Sequence, residues 1–476
     1  MSNIQSIARS VEIGRDFPEL RPYQLHSVEG ARAAIRAGYK RLLLQLATGG
    51  GKTIVAAFMV AGALARGLRV LWVAHRLELI DQAAATFDRL GLRQYGIIRA
   101  NDPRADISQP LQIASLQTLA ARGIRVATNM VVIDEAHRAC AESYIKHLFL
   151  AYEKALNIGL SATPTRADGK PLGDLFQHMV NGAPYSYLIK NGFLAEPLVY
   201  SVPPMADMSK VRTTGGDFNA GDLETALNTT SLVGDIVDEW RTKGEGRRTV
   251  CFAVSVAHSL AIVQQFRDAG VRAEHLDGRT KEPERKAILH RLRAGETTLV
   301  SNVGVLCEGW DMPECKCLIL ARPTKSLGLY MQMGGRILRP CGGTRPVIID
   351  HGANVDRHGM PHADRLWSLD ASPKRTSEAP TRTCPDCSAV IPLGSKVCPE
   401  CGAEMPPSGE AGEPDQSQLL AGVKLVLRTA GDNLRKPWER HARHEDDPEA
   451  LAADDERWAE EVSRLPTGSR FARGAR

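Results

Sequence analysis

Residues 41–75 read RLLLQLATGGGKTIVAAFMVAGALARGLRVLWVAH, and the character of the chain changes three times within them. The run from Arg41 to Leu46 is apolar with almost no polar alternation, as expected of a short strand covered on both faces. Gly49, Gly50 and Gly51 break it, and from Lys52 onward the sequence is a long alanine-rich, apolar helix former. Arg69 to Ala74 then returns to a β-branched, apolar strand pattern, and Leu77 to Leu90 is amphipathic at helical spacing. Strand, loop, helix, strand, helix is the grammar of a parallel sheet covered by helices.

The glycine loop also specifies a chemistry. Glycines between a strand and a helix let backbone N–H groups close around a phosphate, and the positive end of the new helix favours the anion. Thr48, Gly49, Gly50, Gly51, Lys52 and Thr53 are therefore candidate nucleotide-binding residues, with Lys52 reaching the β/γ-phosphates and the Thr53 hydroxyl holding Mg²⁺. The simple G-x-x-x-x-G-K-[ST] pattern is not met, because Leu46 stands where its first glycine belongs. A second signal supports the site. Met130 to Ile133 is another apolar strand, and it ends in Asp134-Glu135-Ala136-His137. A carboxylate at the C-terminal end of such a strand sits beside a phosphate loop, so Asp134 suits Mg²⁺ and Glu135 suits orienting and deprotonating water.

The βα rhythm returns in the second half with RTVCFAV, VAHSLAIVQQFRDAG, VRAEHLDG, EPERKAILHRLRAG, TTLVSNVG, CLILARP and RPVIIDHG. The fold class is α/β with two parallel-sheet lobes in tandem, expected over 1–200 and 229–365 and joined by an insertion or linker at 201–228. A flexible Pro/Ser/Thr-rich linker is expected at 366–383, a small metal ribbon at 384–402, and a tail at 403–476 with one helix at 416–430 and partial disorder elsewhere. At 476 residues, 43% of them hydrophobic, the chain is long enough for two or three buried cores. No run of ~18 apolar residues could span a bilayer. The first ten residues, MSNIQSIARS, lack the apolar core of a signal peptide, so a cytoplasmic location without a membrane partner is expected. The net charge of +5 is compatible with a polyanionic partner and by itself decides nothing.

Further motifs stand in order around these two: Leu20-Arg-Pro-Tyr-Gln24, Val73-Ala-His-Arg76, Ser115-Leu-Gln-Thr118, Ser161-Ala-Thr-Pro164, Glu308-Gly-Trp-Asp311 and Gln332-Met-Gly-Gly-Arg336-Ile-Leu-Arg339. Over about residues 17 to 350 the series resembles the superfamily 2 helicases of the DEAH-box type, which implies two RecA-like lobes that hydrolyse ATP between them in response to nucleic acid. The start LRPYQ, the segment ARPTKS and the trailing cysteines look most like the RadD-type bacterial DNA-repair helicases and their phage relatives. The resemblance implies that Gln24 reads adenine, that Gly309 and Asp311 lie near the ribose, and that Gln332 helps to position water or phosphate. It further implies that Arg336 and Arg339 act as arginine fingers, that His137, Ser161, Ala162 and Thr163 couple nucleotide state to grip, and that His75, Arg76, Ser115, Gln117 and Thr118 contact the nucleic-acid backbone. Cations supplied from the opposite lobe would make hydrolysis depend on lobe closure.

Ten cysteines fall into six scattered residues and one cluster, Cys384-Pro-Asp-Cys387 and Cys398-Pro-Glu-Cys401. Four thiolates at this spacing suit tetrahedral Zn²⁺, with a redox dithiol pair or an iron–sulfur cluster as the alternatives. A ribbon so small has almost no apolar core, so the metal would supply its folding energy. Whether it meets DNA, another protein or the lobes is left open by the sequence.

The enzyme expected is thus an ATP-dependent helicase or translocase with ATP, Mg²⁺ and Zn²⁺ as cofactors. It would act on nucleic acid, DNA favoured over RNA, in repair, recombination or phage DNA metabolism, with repair or recombination proteins as possible partners. The rival readings are a decayed motor that only binds, an RNA helicase, and the motor subunit of a restriction or nuclease complex. A nuclease constellation is not evident in the chain, so cleavage would need a partner.

Overall fold

The computed structural model describes residues 18–138, 144–165, 171–201, 210–227, 236–370, 374–375 and 381–405. Helix α1 (Pro22–Arg36) leads into strand β1 (Arg41–Gln45), in which Leu42, Leu43 and Leu44 are fully buried. The glycine loop follows and opens helix α2 (Lys52–Leu64). Then come β2 (Val70–Ala74), α3 (Leu77–Arg89), β3 (Tyr95–Ile98), β4 (Leu111–Ser115), α4 (Leu116–Arg122), β5 (Met130–Ile133), β6 (Leu156–Ser161) and β7 (His178–Asn181). The seven strands form one parallel sheet in the order β3-β4-β2-β5-β6-β1-β7.

The sheet is buried on both faces, which explains why its strands are apolar runs instead of alternating ones. One face holds Val55, Val60, Trp72, Ile80 and Phe87, with the Trp72 and Phe87 rings edge to face at 5.3 Å. The other holds Leu43, Val73, Ile133 and Phe176. The order matters for function. β6 lies between β5 and β1, with Gln45 level with Ser161 and Ile133 level with Gly159, so three loops emerge side by side at the C-terminal ends.

The second lobe is a six-stranded parallel sheet in the order β12-β13-β11-β14-β15-β8, where β8 is Leu198–Ser201, β11 Thr249–Phe252, β12 Ala273–Leu276, β13 Leu299–Asn302, β14 Cys317–Leu320 and β15 Val347–Asp350. A hairpin of β9 (Thr213–Thr214) and β10 (Asp217–Phe218) precedes β11 in the chain. The helices are α5 (Tyr185–Lys190), α6 (Ala220–Leu227), α7 (Val256–Asp268), α8 (Glu282–Ala294), α9 (Leu327–Gly334) and α10 (Asn354–His358). Local signals set their ends. Ser255 and Ser326 accept backbone N–H bonds from the first turns of α7 and α9, and α8 has a proline in its first turn and ends at Gly295 in the left-handed region.

Two boundaries differ from the expected ones. Strand β8 straddles the expected end of the first lobe (1–200) yet pairs with β15, and Tyr185, Leu188, Leu194 and Val199 pack into the second lobe's core. A four-residue strand carries no mark of its partner, because long-range pairing alone decides it. Residues 366–370, expected to start a flexible linker, are anchored: Leu369 packs on the first lobe's core and its carbonyl accepts from Gly173 N at 2.9 Å. β16 (Arg365–Leu366) also pairs with β17 (Lys374–Arg375). The strands β18 (Thr381–Thr383) and β19 (Val390–Pro392) form the hairpin of the cysteine ribbon. That ribbon docks on the free edge of β8: Ser201 N donates to Ser388 O at 2.9 Å and Arg345 pairs with Glu400 at 2.9 Å. The helix expected at 416–430 lies outside the described residues.

Candidate functional site

The glycine loop is held open by its backbone. Gly49 and Gly51 have φ of +85° and +84°, which a side chain would strain, and Gly51 caps α2. Helix α1 closes the loop from behind: Tyr23 Oη and Gln24 Nε2 donate to Gly50 O at 3.0 and 3.2 Å, while Gln24 Oε1 accepts from Arg21 N at 3.0 Å. The Arg21 guanidinium lies 4.6 Å over the Phe193 ring. Thr48 N donates to Tyr185 Oη at 3.3 Å, and a Cβ on Gly335 would meet Thr48, so the second lobe is already seated on the loop. Thr53 is half-buried in the first turn of α2.

Asp134 and Glu135 leave β5 beside this loop, both buried at 7% exposure. Glu135 sits at φ +48°, an uncommon turn that redirects its side chain, and Asp134 Oδ1 accepts Glu135 N at 3.0 Å. Burial, reinforced by the neighbouring Glu135 and opposed by Lys52, pushes the Asp134 carboxyl up to about 7. Burial pushes the Lys52 ammonium below its usual range; Glu135 and Asp134 oppose this, and Arg336 and Arg339 add to it. Three cations and two carboxylates therefore share one desolvated cleft.

His137 connects the loops. Its Nδ1 is 3.4 Å from Glu135 Oε2 and 3.3 Å from Ser161 Oγ, and its Nε2 is 3.1 Å from Gln332 Nε2 across the cleft. Burial holds this imidazole below its ordinary value, which leaves it neutral and fits Nδ1–H facing the carboxylate with Nε2 accepting from Gln332. Ser161 Oγ accepts from Thr163 N at 3.2 Å and Ala162 O from Gln45 Nε2 at 3.1 Å, so the segment beside the glycine loop is fixed by its own lobe.

From the second lobe, Arg336 is buried and donates to Cys307 O at 2.9 and 2.5 Å and to Trp310 O at 2.8 Å. Arg339 lies against Gly49 and pairs with Asp311, and Gly309 at φ +70° faces Glu78 of α3. The structure thus brings Gln24, Thr48 to Thr53, Asp134, Glu135, His137, Ser161 to Thr163, Gln332, Arg336 and Arg339 to one cleft, with Gly309 and Asp311 at its side.

The expected nucleic-acid residues gather at the adjacent ends of β2 and β4, where Ala74 is level with Ser115. Gln117 Nε2 donates to His75 O at 2.9 Å, Ser115 Oγ to Gln117 Oε1 at 2.9 Å, and Ala100 N to Thr118 Oγ1 at 3.4 Å. The side chains of His75 and Arg76, however, do not face solvent as a free track. They reach Glu308 of the second lobe at 2.8 and 3.3 Å, and Arg138 joins them at 2.7 Å. Burial alone would raise the Glu308 carboxyl, but His75, Arg138 and Arg76 outweigh it and hold it well below the carboxylate range. Sequence reasoning gives Glu308 and Arg138 no role of their own. A signal exists for each, since Glu308 heads one motif and Arg138 follows another. A second ion pair, Glu78 with Arg285, joins α3 to α8 across the same cleft.

The four clustered cysteines place their Sγ atoms within 4.8 Å of one another, with Cys384–Cys401 and Cys387–Cys398 both at 3.7 Å. Bonds of ~2.3 Å to a tetrahedral zinc would set sulfur atoms about 3.8 Å apart, so the donor set fits that ion. The two turns are copies: Cys384 N donates to Ala389 O and Ser388 N to Cys384 O, as Cys398 N does to Ala403 O and Gly402 N to Cys398 O. The scattered Cys251, Cys307, Cys315 and Cys317 are buried as small apolar side chains.

Comparisons with known proteins agree with this geometry. Residues 17–166 match the family described as the Type III restriction enzyme, res subunit, and residues 230–341 match the Helicase conserved C-terminal domain. A 51.5 kDa protein of a Lactococcus phage is 30% identical over 414 residues, which is 83% of this chain and 87% of that one. IRC3 of Saccharomyces cerevisiae, named as an ATP-dependent helicase, is 33% identical over 341 residues, 68% of this chain and 50% of that protein. A solved fragment described as an HsdR subunit of a type I restriction enzyme from Vibrio vulnificus shares the fold with a TM-score of 0.57 at 22% identity, covering 74% of this chain and 69% of that one. No helix among the described residues is long and apolar enough to cross a membrane.

Proposed function

The chain belongs to the superfamily 2 helicases, which are ATP-dependent enzymes, and from that premise we propose that its inter-lobe cleft hydrolyses ATP in response to bound DNA and drives movement along it or remodelling of it. The observation that carries this reading is the convergence, across one cleft, of Lys52, Asp134 and Glu135 from one lobe with Arg336 and Arg339 from the other. In this reading the backbone N–H groups of Gly49, Gly51 and Lys52 bind the β-phosphate, Lys52 neutralises the β/γ oxygens, and Gln24 holds the adenine edge. Thr53 and Asp134 would hold Mg²⁺, which supplies charge neutralisation on the phosphates when bound. Glu135 takes the proton of the attacking water, and His137 orients Glu135 while reporting the position of Gln332. Arg336 and Arg339 meet the charge that develops on the γ-phosphoryl group only when the lobes are together. Closure therefore gates hydrolysis.

Lys52→Ala removes the cation on the phosphates. Turnover is expected to fall to background in a steady-state ATPase assay, with nucleotide affinity weakened as well; wild-type turnover would rule out the phosphate loop assigned here.

DNA as the polymer is supported by the first lobe's restriction-enzyme family. A role in repair, recombination or phage DNA metabolism, as in the RadD-type helicases, fits the phage relative and the trailing ribbon. The domains proposed are two motor lobes, the second beginning before β8, followed by a zinc ribbon docked on that lobe. Zinc would be held by Cys384, Cys387, Cys398 and Cys401. Replacing Cys398 and Cys401 by Ser is expected to release about one zinc per chain by metal analysis; purified wild-type protein that carries no metal would contradict the ribbon. A second reading, motor subunit of a restriction or nuclease complex, draws on the same family match, and co-purification of a nuclease with the native protein would favour it.

A further inference from the structure

Glu308 is the point where the second lobe enters the first lobe's candidate DNA track. Its side chain is wholly enclosed, yet its ion-pair partners all lie outside its own lobe. Oε2 accepts from His75 Nε2 at 2.8 Å and lies 3.3 Å from Arg76 Nε, while Oε1 accepts from Arg138 Nε and Nη2 at 2.9 and 2.7 Å. Among the described residues Glu308 is the ion-pair partner of each of these three groups. All three stand on the first lobe, two at the end of β2 and one just after the acidic motif.

A carboxylate with two oxygens, one negative charge and a fan of N–H donors has the same recognition chemistry as the two free oxygens of a phosphodiester. His75 and Arg76 lie beside Ser115 and Gln117, whose hydroxyl and amide are further donors of the kind that hold a DNA backbone. The carboxylate thus occupies the seat that a strand phosphate would take. We propose that Glu308 is an internal competitor of the DNA backbone: with no DNA bound it occupies His75, Arg76 and Arg138, and a strand phosphate has to displace it or share them.

This inference rests on the reading that the ends of β2 and β4 form part of the DNA track. It makes lobe contact and DNA grip linked equilibria, because the same donor side chains serve both. Each strand phosphate that the cations neutralise contributes about 0.7 to the slope of log K against log salt. Freeing His75 and Arg76 from Glu308 should therefore change both affinity and salt dependence.

The test is anisotropy of a labelled single-stranded DNA with the full chain, without nucleotide, across a salt series. Glu308→Gln is expected to bind about 3- to 30-fold tighter at low salt, with a slope steeper by about 0.7 to 1.4. A residue that merely supported the fold would not strengthen binding when lost. Glu308→Asp keeps the charge on a shorter arm and should give a smaller gain; it decides the matter if Glu308→Gln does not fold. Arg76→Gln should weaken binding, and in the double variant with Glu308→Gln the gain should shrink. If Arg76→Gln leaves affinity unchanged, the track itself is misplaced and the inference falls with it. If Arg76→Gln weakens binding but neither Glu308 variant tightens it, the track stands and the competitor is refuted.

Discussion

Glu135→Gln is expected to keep ATP bound and to slow its hydrolysis by about 10² to 10⁴, the usual contribution of a positioned general base. The amide is nearly isosteric with the carboxylate, so the loop geometry, the φ of +48° and the contact with His137 should survive. What is lost is the ability to take a proton. The Glu135 carboxylate is placed to do so, because it is buried and, among the described residues, its Oε2 has no hydrogen-bond donor closer than the His137 Nδ1 at 3.4 Å, which leaves its acceptor capacity unspent. Asp134 is less suited to the role. Its Oδ1 already accepts Glu135 N, and its carboxylate is the one assigned to Mg²⁺. Equilibrium binding of a fluorescent ATP analogue beside single-turnover hydrolysis would separate the two effects. Ordinary hydrolysis by Glu135→Gln would move the base elsewhere.

Arg339→Ala should cost hydrolysis far more than binding, by about 10³ or more in kcat if it acts as an arginine finger. It is a cleaner probe than Arg336. The Arg336 guanidinium also fastens the carbonyls of Cys307 and Trp310, so its removal would disturb the segment carrying Glu308 as well as the charge. Arg339 instead has one ionic partner among the described residues, Asp311, and its stem lies against Gly49 of the phosphate loop. Asp311 holds the arginine at the cleft edge, and as a finger the arginine would exchange this carboxylate for the more highly charged γ-phosphate. A matched loss in kcat and in ATP affinity would mean that Arg339 only binds nucleotide.

The fold is legible in the sequence because its central strands are continuous apolar runs. RLLLQ, VLWVA and MVVI need no tertiary information to be read as buried parallel strands, and the glycine loop and acidic motif mark two of their C-terminal ends. The cleft is legible for the same reason, since loops at neighbouring strand ends must meet. What stays hidden depends on pairings far apart in sequence. Strand β8 falls mostly on the wrong side of the expected boundary because only its register with β15 reveals its lobe. The docking of the ribbon on β8 likewise depends on an edge that becomes visible only once the sheet is assembled. Glu308 stands at the head of a motif, yet its partners lie 170 to 233 residues away, and no local pattern announces three N–H donor side chains converging on one carboxylate.

The central claim is that the cleft is an ATPase gated by a polymer. It is tested most directly by steady-state ATP hydrolysis of the full chain at fixed salt, alone and with single-stranded DNA, duplex DNA, forked DNA and RNA, with Lys52→Ala as control. The expected result is low basal turnover, strong stimulation by DNA and none in the Lys52 variant. Turnover that is unaffected by every polymer, or absent with all of them, would contradict the account.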